Sequence, residues 1–225
     1  MRKEVIVISL GGSVVVPDNI DIKFLKNFKI LIQRYSNKYK FILVIGGGKT
    51  ARRYIDAVKS ILKKANNKKL DWIGIRATWL NAEFVKIIFE NQSYDIVVDN
   101  PNKKVKFDKI LVAGGWKPGW STDYDAVLLA KNYNAKTIIN MTNIEYLYNK
   151  DPRKNKDAKK IKKIDWTGFR KIVGNKWIPG MNVLFDPIAA KEAQKLKLKL
   201  ILIGNNLNNF KEFLDGKKFK GSVVE

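Results

Sequence analysis

Phe41-Ile42-Leu43-Val44-Ile45-Gly46-Gly47-Gly48-Lys49-Thr50 reads as five buried strand positions running into a turn of three glycines. A continuous apolar run, rather than an alternating one, fits a parallel strand covered on both faces. Working outward, Val5-Ile6-Val7-Ile8-Ser9-Leu10 has the same form and stops at Gly11-Gly12-Ser13, and Ile110-Leu111-Val112 stops just before Gly114-Gly115. Between these runs, Phe24, Phe28, Leu31 and Ile32 after Asp21, and then Tyr54, Ala57, Val58, Ile61 and Leu62, recur at helical intervals. Further helices are expected over residues 72–89, about 122–131 and near 189–196. Further strands are expected at Ile96-Val97-Val98, at Thr137-Ile138-Ile139 and over residues 198–203, the last ending at Gly204. Strands alternating with helices predict an α/β fold, a three-layer α/β/α sandwich around an open, mostly parallel sheet. With 225 residues and no low-complexity linker, the chain reads as one domain.

Composition narrows the chemistry. With no cysteine there is no disulfide and no thiolate nucleophile, and with no histidine the commonest general base and metal ligand are both missing. Hydrolases built on Ser-His or Cys-His pairs, and most zinc enzymes, are thereby excluded. The net charge of +23 suits anionic ligands, nucleotides or a nucleic-acid surface. Only seven of the 44 basic residues are arginine, and nucleic-acid surfaces lean on arginine for bidentate and stacked contacts. The charge is therefore read as compositional, with no nucleic-acid partner. No apolar run is long enough to span a bilayer, and Met1-Arg2-Lys3-Glu4 leads directly into a strand-like segment. No membrane association and a cytoplasmic location are the corresponding expectations.

Glycines after a strand let backbone N–H groups converge on an anion, and a following helix adds the positive end of its dipole. One such turn is weak, because strand-to-helix turns also use glycine for geometry alone. Three turns in one parallel sheet face the same edge, where ligands of such sheets bind. Gly46-Gly47-Gly48-Lys49-Thr50 lacks the four-residue spacer of a P-loop, so this is a different way of holding phosphate.

The ordered set Leu10-Gly11-Gly12-Ser13-Val14-Val15-Val16-Pro17, Gly46-Gly47-Gly48-Lys49-Thr50-Ala51-Arg52-Arg53-Tyr54-Ile55, Asp71, Gly74, Ala77, Asn81, Gly114-Gly115-Trp116-Lys117-Pro118-Gly119-Trp120-Ser121-Thr122-Asp123, Thr142-Asn143-Ile144, Tyr148, Asp151-Pro152 and Asp186-Pro187-Ile188-Ala189-Ala190-Lys191 resembles the archaeal-type UMP kinases of the amino acid kinase superfamily. The resemblance runs from Ile6 to the C-terminus. It implies the amino acid kinase fold, with an acceptor lobe over residues 1–134 and a donor lobe over 135–225. It also implies transfer of the ATP γ-phosphoryl to UMP, with Mg2+ carried by ATP, and a homo-oligomer, a hexamer in the family.

The resemblance assigns Gly47, Asp71, Trp116, Lys117, Pro118, Gly119, Trp120, Ser121 and Thr122 to UMP, with Asp71 at the ribose. It assigns Ser9, Leu10, Gly11, Gly12, Ser13, Gly48, Arg52, Thr142, Asn143, Tyr148 and Asp151 to ATP. Asp186 would organise the groups around the transferring phosphoryl without taking a proton, and Arg52 would point its guanidinium fork at phosphate oxygens. Asp71, Ser121, Thr122 and Asp186 also read as helix caps, and both roles can hold at once. The irregular stretch 149–163 is either disordered or a loop that orders over bound nucleotide.

Two positions depart from the superfamily pattern. Ser9 stands where many members carry lysine, so a neutralising cation must come from elsewhere, Lys49 first and Lys117 second. Tyr146 replaces a glycine beside the donor. These departures keep open a non-catalytic relative, such as a metal-oxyanion store or a regulatory nucleotide binder. Isopentenyl phosphate kinases use an acceptor-site histidine that this chain lacks. Carbamate, acetylglutamate and aspartate kinases lack the Pro118-Gly119-x-Ser121-Thr122-Asp123 pattern.

Overall fold

The apolar runs become strands because both of their faces are covered. In β1 (Glu4–Leu10), Ile6, Ile8 and Leu10 enter one core cluster while Val7 enters the other. The same division holds in β2 (Tyr39–Ile45), where Phe41, Leu43 and Ile45 face one way and Ile42 and Val44 the other. The structure is a computed structural model that describes residues 3–150, 152, 154–176 and 184–225.

Among the described residues, seven strands form the main sheet. They are β1, β2, β3 (Ile110–Ala113), β4 (Thr137–Thr142), β7 (Lys163–Ile164), β8 (Lys199–Gly204) and β9 (Ser222–Val224), in the order β3-β2-β1-β4-β8-β9-β7. Every pairing is parallel except that of β8 with β9. A separate two-stranded ribbon joins β5 (Leu147–Tyr148) to β6 (Lys160–Ile161).

Helices α2 (Ile22–Tyr35) and α8 (Leu207–Leu214) cover one face, together with the short α1 (Gly12–Val15) and the end of α4 (Asn67–Ile88). Phe28 is fully buried there among Phe24, Phe89 and Phe210. Burying such a side chain contributes roughly 1.5–3 kcal/mol. Helices α5 (Thr122–Tyr133), α6 (Trp166–Val173) and α7 (Pro187–Lys195) cover the opposite face. The architecture is the expected three-layer α/β/α sandwich.

Three local expectations are corrected. The helix expected over 72–89 begins at Asn67, because Asn66 caps it by accepting the Lys69 N–H at 3.2 Å, so Asp71 lies inside the helix and is no cap. Ile96-Val97-Val98 forms no strand. Only an isolated parallel bridge joins Val98 to Ala113, and Ile96 is exposed beside the edge strand β3, with no neighbour to complete a ladder. The apolar positions of α3 (Gly48–Ile61) do form a helix, yet of them only Ala51 is buried. α3 packs on α4 outside the main layers and leaves Tyr54, Ile61 and Leu62 exposed.

Candidate active site

Parallel strands in register bring their carboxyl ends to one edge: Leu10 pairs with Ile45 and Met141, and Thr142 with Gly204. The helices α1, α3 and α5, which follow β1, β2 and β3, start at that edge, and so does α7, which precedes β8. α1, α3, α5 and α7 all open their N-termini around a cleft of about 410 Å³. The first N–H groups of a helix lack intrahelical partners, so the cleft is lined with donors and positive dipole ends.

The first two glycine turns interlock. A Cβ on Gly12 would lie 1.9 Å from the Gly48 nitrogen and 2.8 Å from the Gly46 carbonyl carbon, and Gly48 itself has φ +59°. Part of the glycine signal is therefore backbone packing against backbone, and the remainder is the anion-facing surface.

Beneath the cleft lies a network of carboxyl groups. Ser9 of β1 and Asn140 of β4 are register partners under the start of α5. The Ser9 hydroxyl donates to Asp123 Oδ1 at 2.8 Å, and the Asp186 N–H donates to Asp123 Oδ2 at 3.1 Å. Asp186 caps α7 by accepting the N–H groups of Ile188 and Ala189 at 2.6 and 3.4 Å, and it also accepts the Ser121 hydroxyl. Ser121 in turn caps α5 through the Tyr124 N–H at 3.2 Å. Burial pushes the Asp123 carboxyl up to about 6, against the opposing pull of Ser9 and the Asp186 amide. Burial also raises Asp186, opposed by Ser121 and the two amides of α7. With serine at position 9, Asp123 receives only neutral donors, and that is why desolvation prevails.

The other wall is a loop, residues 114–121, clamped between α4 and α5. The Gly115 N–H donates to Thr78 Oγ1 and the Gly115 carbonyl accepts from Trp79 Nε1, each at 2.7 Å. The Gly119 N–H donates to Asp71 Oδ2 at 3.0 Å, and the Trp116 N–H to Asp125 Oδ2 at 3.1 Å. Burial raises the Asp71 carboxyl, while the Gly119 amide opposes the rise.

Of the residues assigned from sequence, Ser9, Gly11, Gly12, Ser13, Gly47, Gly48, Arg52, Asp71, Trp120, Ser121, Thr122, Thr142, Asn143 and Asp186 line this one cleft. Leu10 is buried beneath it. Lys49, Trp116, Lys117, Pro118, Gly119 and Tyr148 lie off its wall, and Asp151 lies outside the described residues. Lys117 instead sits over the rings of Trp116 and Trp120, at 3.9 and 5.3 Å. The cations that do reach the cleft are Arg52 and Lys59, both on α3, and neither forms an ion pair with a described residue. Tyr146 is buried under the Lys160 ammonium, 4.9 Å from its ring, and does not line the cleft.

Sequence reasoning missed Lys59, Asp123 and Asn140 as lining residues and Asp125 as a loop anchor. Only Asp123 had left a signal, as the end of the quoted Ser-Thr-Asp triplet.

The model of the family described as "Amino acid kinase family" matches residues 4–204. The chain belongs to the amino acid kinase family. Similar members include the uridylate kinase of Thermoplasma volcanium, 38% identical over 99% of this chain and 98% of that protein. The uridylate kinase of Thermococcus sibiricus is 34% identical over 98% and 99%. Among solved structures, the uridylate kinase of Archaeoglobus fulgidus superposes with a TM-score of 0.84 at 31% identity, covering 98% of this chain and 99% of that one. Among the described residues no helix is long and apolar enough to cross a membrane.

Proposed function

We propose that the protein is a UMP kinase, transferring the γ-phosphoryl of ATP to UMP to give UDP and ADP. The observation that carries this is the cleft itself. Four helix N-termini and two cations without an ion pair among the described residues surround it, and relatives matched over almost their whole length are uridylate kinases. Residues 1–134 would form the acceptor lobe and residues 135–225 the donor lobe.

In this reading UMP lies along α3, α4 and the 114–121 loop. Gly47 and Arg52 meet its phosphate, Asp71 its ribose, and Trp120, Ser121 and Thr122 its base. ATP lies over Gly11, Gly12, Ser13, Gly48, Thr142 and Asn143. The attacking oxygen belongs to the UMP α-phosphate and is already anionic, so the reaction needs no general base and the chain's lack of histidine is no handicap. Catalysis is alignment of the two nucleotides plus neutralisation of charge on the transferring group. Arg52 and Lys59 supply that charge from α3. Asp123 and Asp186 act as anchors: they hold Ser9, Ser121 and the start of α7 in place and take no proton from substrate.

Among the described residues no three acidic side chains gather into a metal cage, and the Asp123 and Asp186 oxygens are already engaged by protein donors. Such a donor set suits Mg2+ held by the ATP phosphates, a usual arrangement for this ion. Bound there, it would screen the charge of the phosphates.

Exposed Tyr54 and Ile61 on α3, Leu62 just after it, and Leu80 and Ile87 on α4 favour a homo-oligomer, the hexamer of the family being our expectation. A cytoplasmic location belongs to the same proposal.

The test is ADP formation from ATP and Mg2+ with UMP, CMP, dTMP, AMP and GMP in turn. UMP is expected to give the highest kcat/KM. Purified, folded protein that turns over none of the five would overturn the proposal.

A further inference from the structure

α5 carries a residue whose presence the reaction, as described, does not explain. Asp125 has no solvent exposure, and the helix around it is apolar, with Ala126, Val127, Leu129 and Ala130 all buried. Its Oδ1 meets no hydrogen-bond partner among the described residues. Burial pushes its carboxyl up to about 7, the Asp123 and Asp186 carboxylates push the same way, and only the Trp116 amide opposes. A buried carboxyl with one idle oxygen beside two like charges is a costly occupant, and an apolar side chain of similar volume would be the cheaper one. The residue must therefore be doing something that an apolar side chain cannot. The polar contact it makes is acceptance of the Trp116 N–H by Oδ2 at 3.1 Å.

That contact has a place in the clamp. Thr78, Trp79 and Asp71 hold Gly115 and Gly119, and all three belong to α4. Asp125 is the attachment of the loop's interior to α5. The ring of Trp116 packs 6.0 Å from that of Trp120, which lines the cleft and lies 4.2 Å from Tyr124 of α5. The far end of the loop is fixed at Ser121, the cap of α5, so without the Asp125 contact the segment around Trp116 would lose its tie to that helix and with it the set of the Trp116–Trp120 pair.

We infer that Asp125 is a positioning residue for the acceptor, its buried carboxyl pinning the Trp116 amide so that the 114–121 loop keeps the shape that receives the nucleoside monophosphate. This rests on the assignment of that loop to UMP. It adds a determinant of acceptor affinity that touches no substrate.

The test compares Asp125→Val, which fills the space without an acceptor, with Asp125→Asn, which keeps a carbonyl oxygen for Trp116 but no charge. Both are made in the full chain. Two readouts are taken: KM for UMP and for ATP alongside kcat, and amide hydrogen exchange over residues 115–120. A hydrogen bond to a buried carboxyl is of the size that shifts binding about tenfold. Asp125→Val is therefore expected to raise UMP KM by about that factor, leave ATP KM and kcat within about twofold, and speed exchange in the loop. Asp125→Asn is expected to stay near wild type in both readouts. Wild-type UMP KM and wild-type exchange in Asp125→Val would overturn the inference, and so would an Asn variant as impaired as the Val one. If Val does not fold, Asp125→Ala is read in the same way. If the wild-type protein turns over no UMP, the UMP kinase reading fails by itself, and loop exchange alone decides whether Asp125 is the tether.

Discussion

The two walls of the cleft are built differently. On the side we assign to the acceptor, Asp71, Thr78, Trp79 and Asp125 reach from two long helices to grip the backbone of the 114–121 loop. On the side we assign to the donor, Thr142, Asn143 and Ile144 line the cleft, and the chain that follows them is shaped mostly by local contacts. Thr142 bonds Ile144 two residues on, the β5–β6 ribbon has two residue pairs, and Asn149 accepts the Lys159 N–H. The ion pair Lys150–Asp157 adds little there, since an exposed pair contributes about 0–1 kcal/mol. A wall held by side chains from rigid helices is preorganised, and it discriminates among ligands because its polar groups are fixed before binding. In the proposed reading, acceptor choice therefore rests on α4, α5 and their loop.

Arg52 lines the cleft from α3, and in the proposed reading it neutralises the group passed between the two nucleotides, so its loss is expected to damage the use of both. Arg52→Ala should lower kcat/KM for UMP and for ATP by about 100-fold, the scale for removing one donor to a reacting group. Near-wild-type kinetics would show that the phosphates lie elsewhere. Asp71→Ala acts on one wall only. It should raise UMP KM about tenfold with ATP KM unchanged, and a parallel rise in both would erase the distinction between the walls.

The smallest effect comes from the buried carboxyls. Asp123 and Asp125 are pushed up to about 6 and about 7, chiefly by burial. The folded protein thus binds more protons than the unfolded chain between about pH 4 and pH 7, so stability falls as pH rises through that window and the loss is complete above it. Glu90, Asp215 and Glu225 are shifted the other way, lowered chiefly by their hydrogen bonds to Lys29, to Lys211 and to Lys163 respectively, and the chain has no histidine to titrate in the window. The unliganded protein should melt a few degrees (about 2–6 °C) lower at pH 8 than at pH 5.5, and Asp125→Asn should reduce that difference. A melting temperature that rises over the same interval would contradict the assignment.

Much of this was legible in the sequence because it is local. The runs Val5–Leu10 and Phe41–Ile45 declare doubly covered strands, and the glycines after them declare the edge where a ligand sits. What could not be read depends on chain segments far apart. Asp123 and Asp186 are 63 residues apart and meet because α5 and α7 lie on the same face of the sheet. Asp71 has the look of a cap, yet Asn66 starts the helix a turn earlier and turns Asp71 toward Gly119. The apolar spacing of α3 gave its helix correctly and its burial wrongly, since periodicity cannot tell a face turned to the core from one left open. Asp125 sits at an apolar position of a helix pattern, where a carboxyl gives no sign of its partner.

The central claim is that phosphate moves from ATP to UMP in this cleft. Phosphorus NMR of the protein with equimolar ATP, UMP and Mg2+ tests it most directly, because it observes the product and not only the loss of ATP. The account predicts that resonances of UDP and ADP grow together in equal amounts, and that no inorganic phosphate appears. Unchanged ATP and UMP, or ADP formed with inorganic phosphate and no UDP, would contradict it.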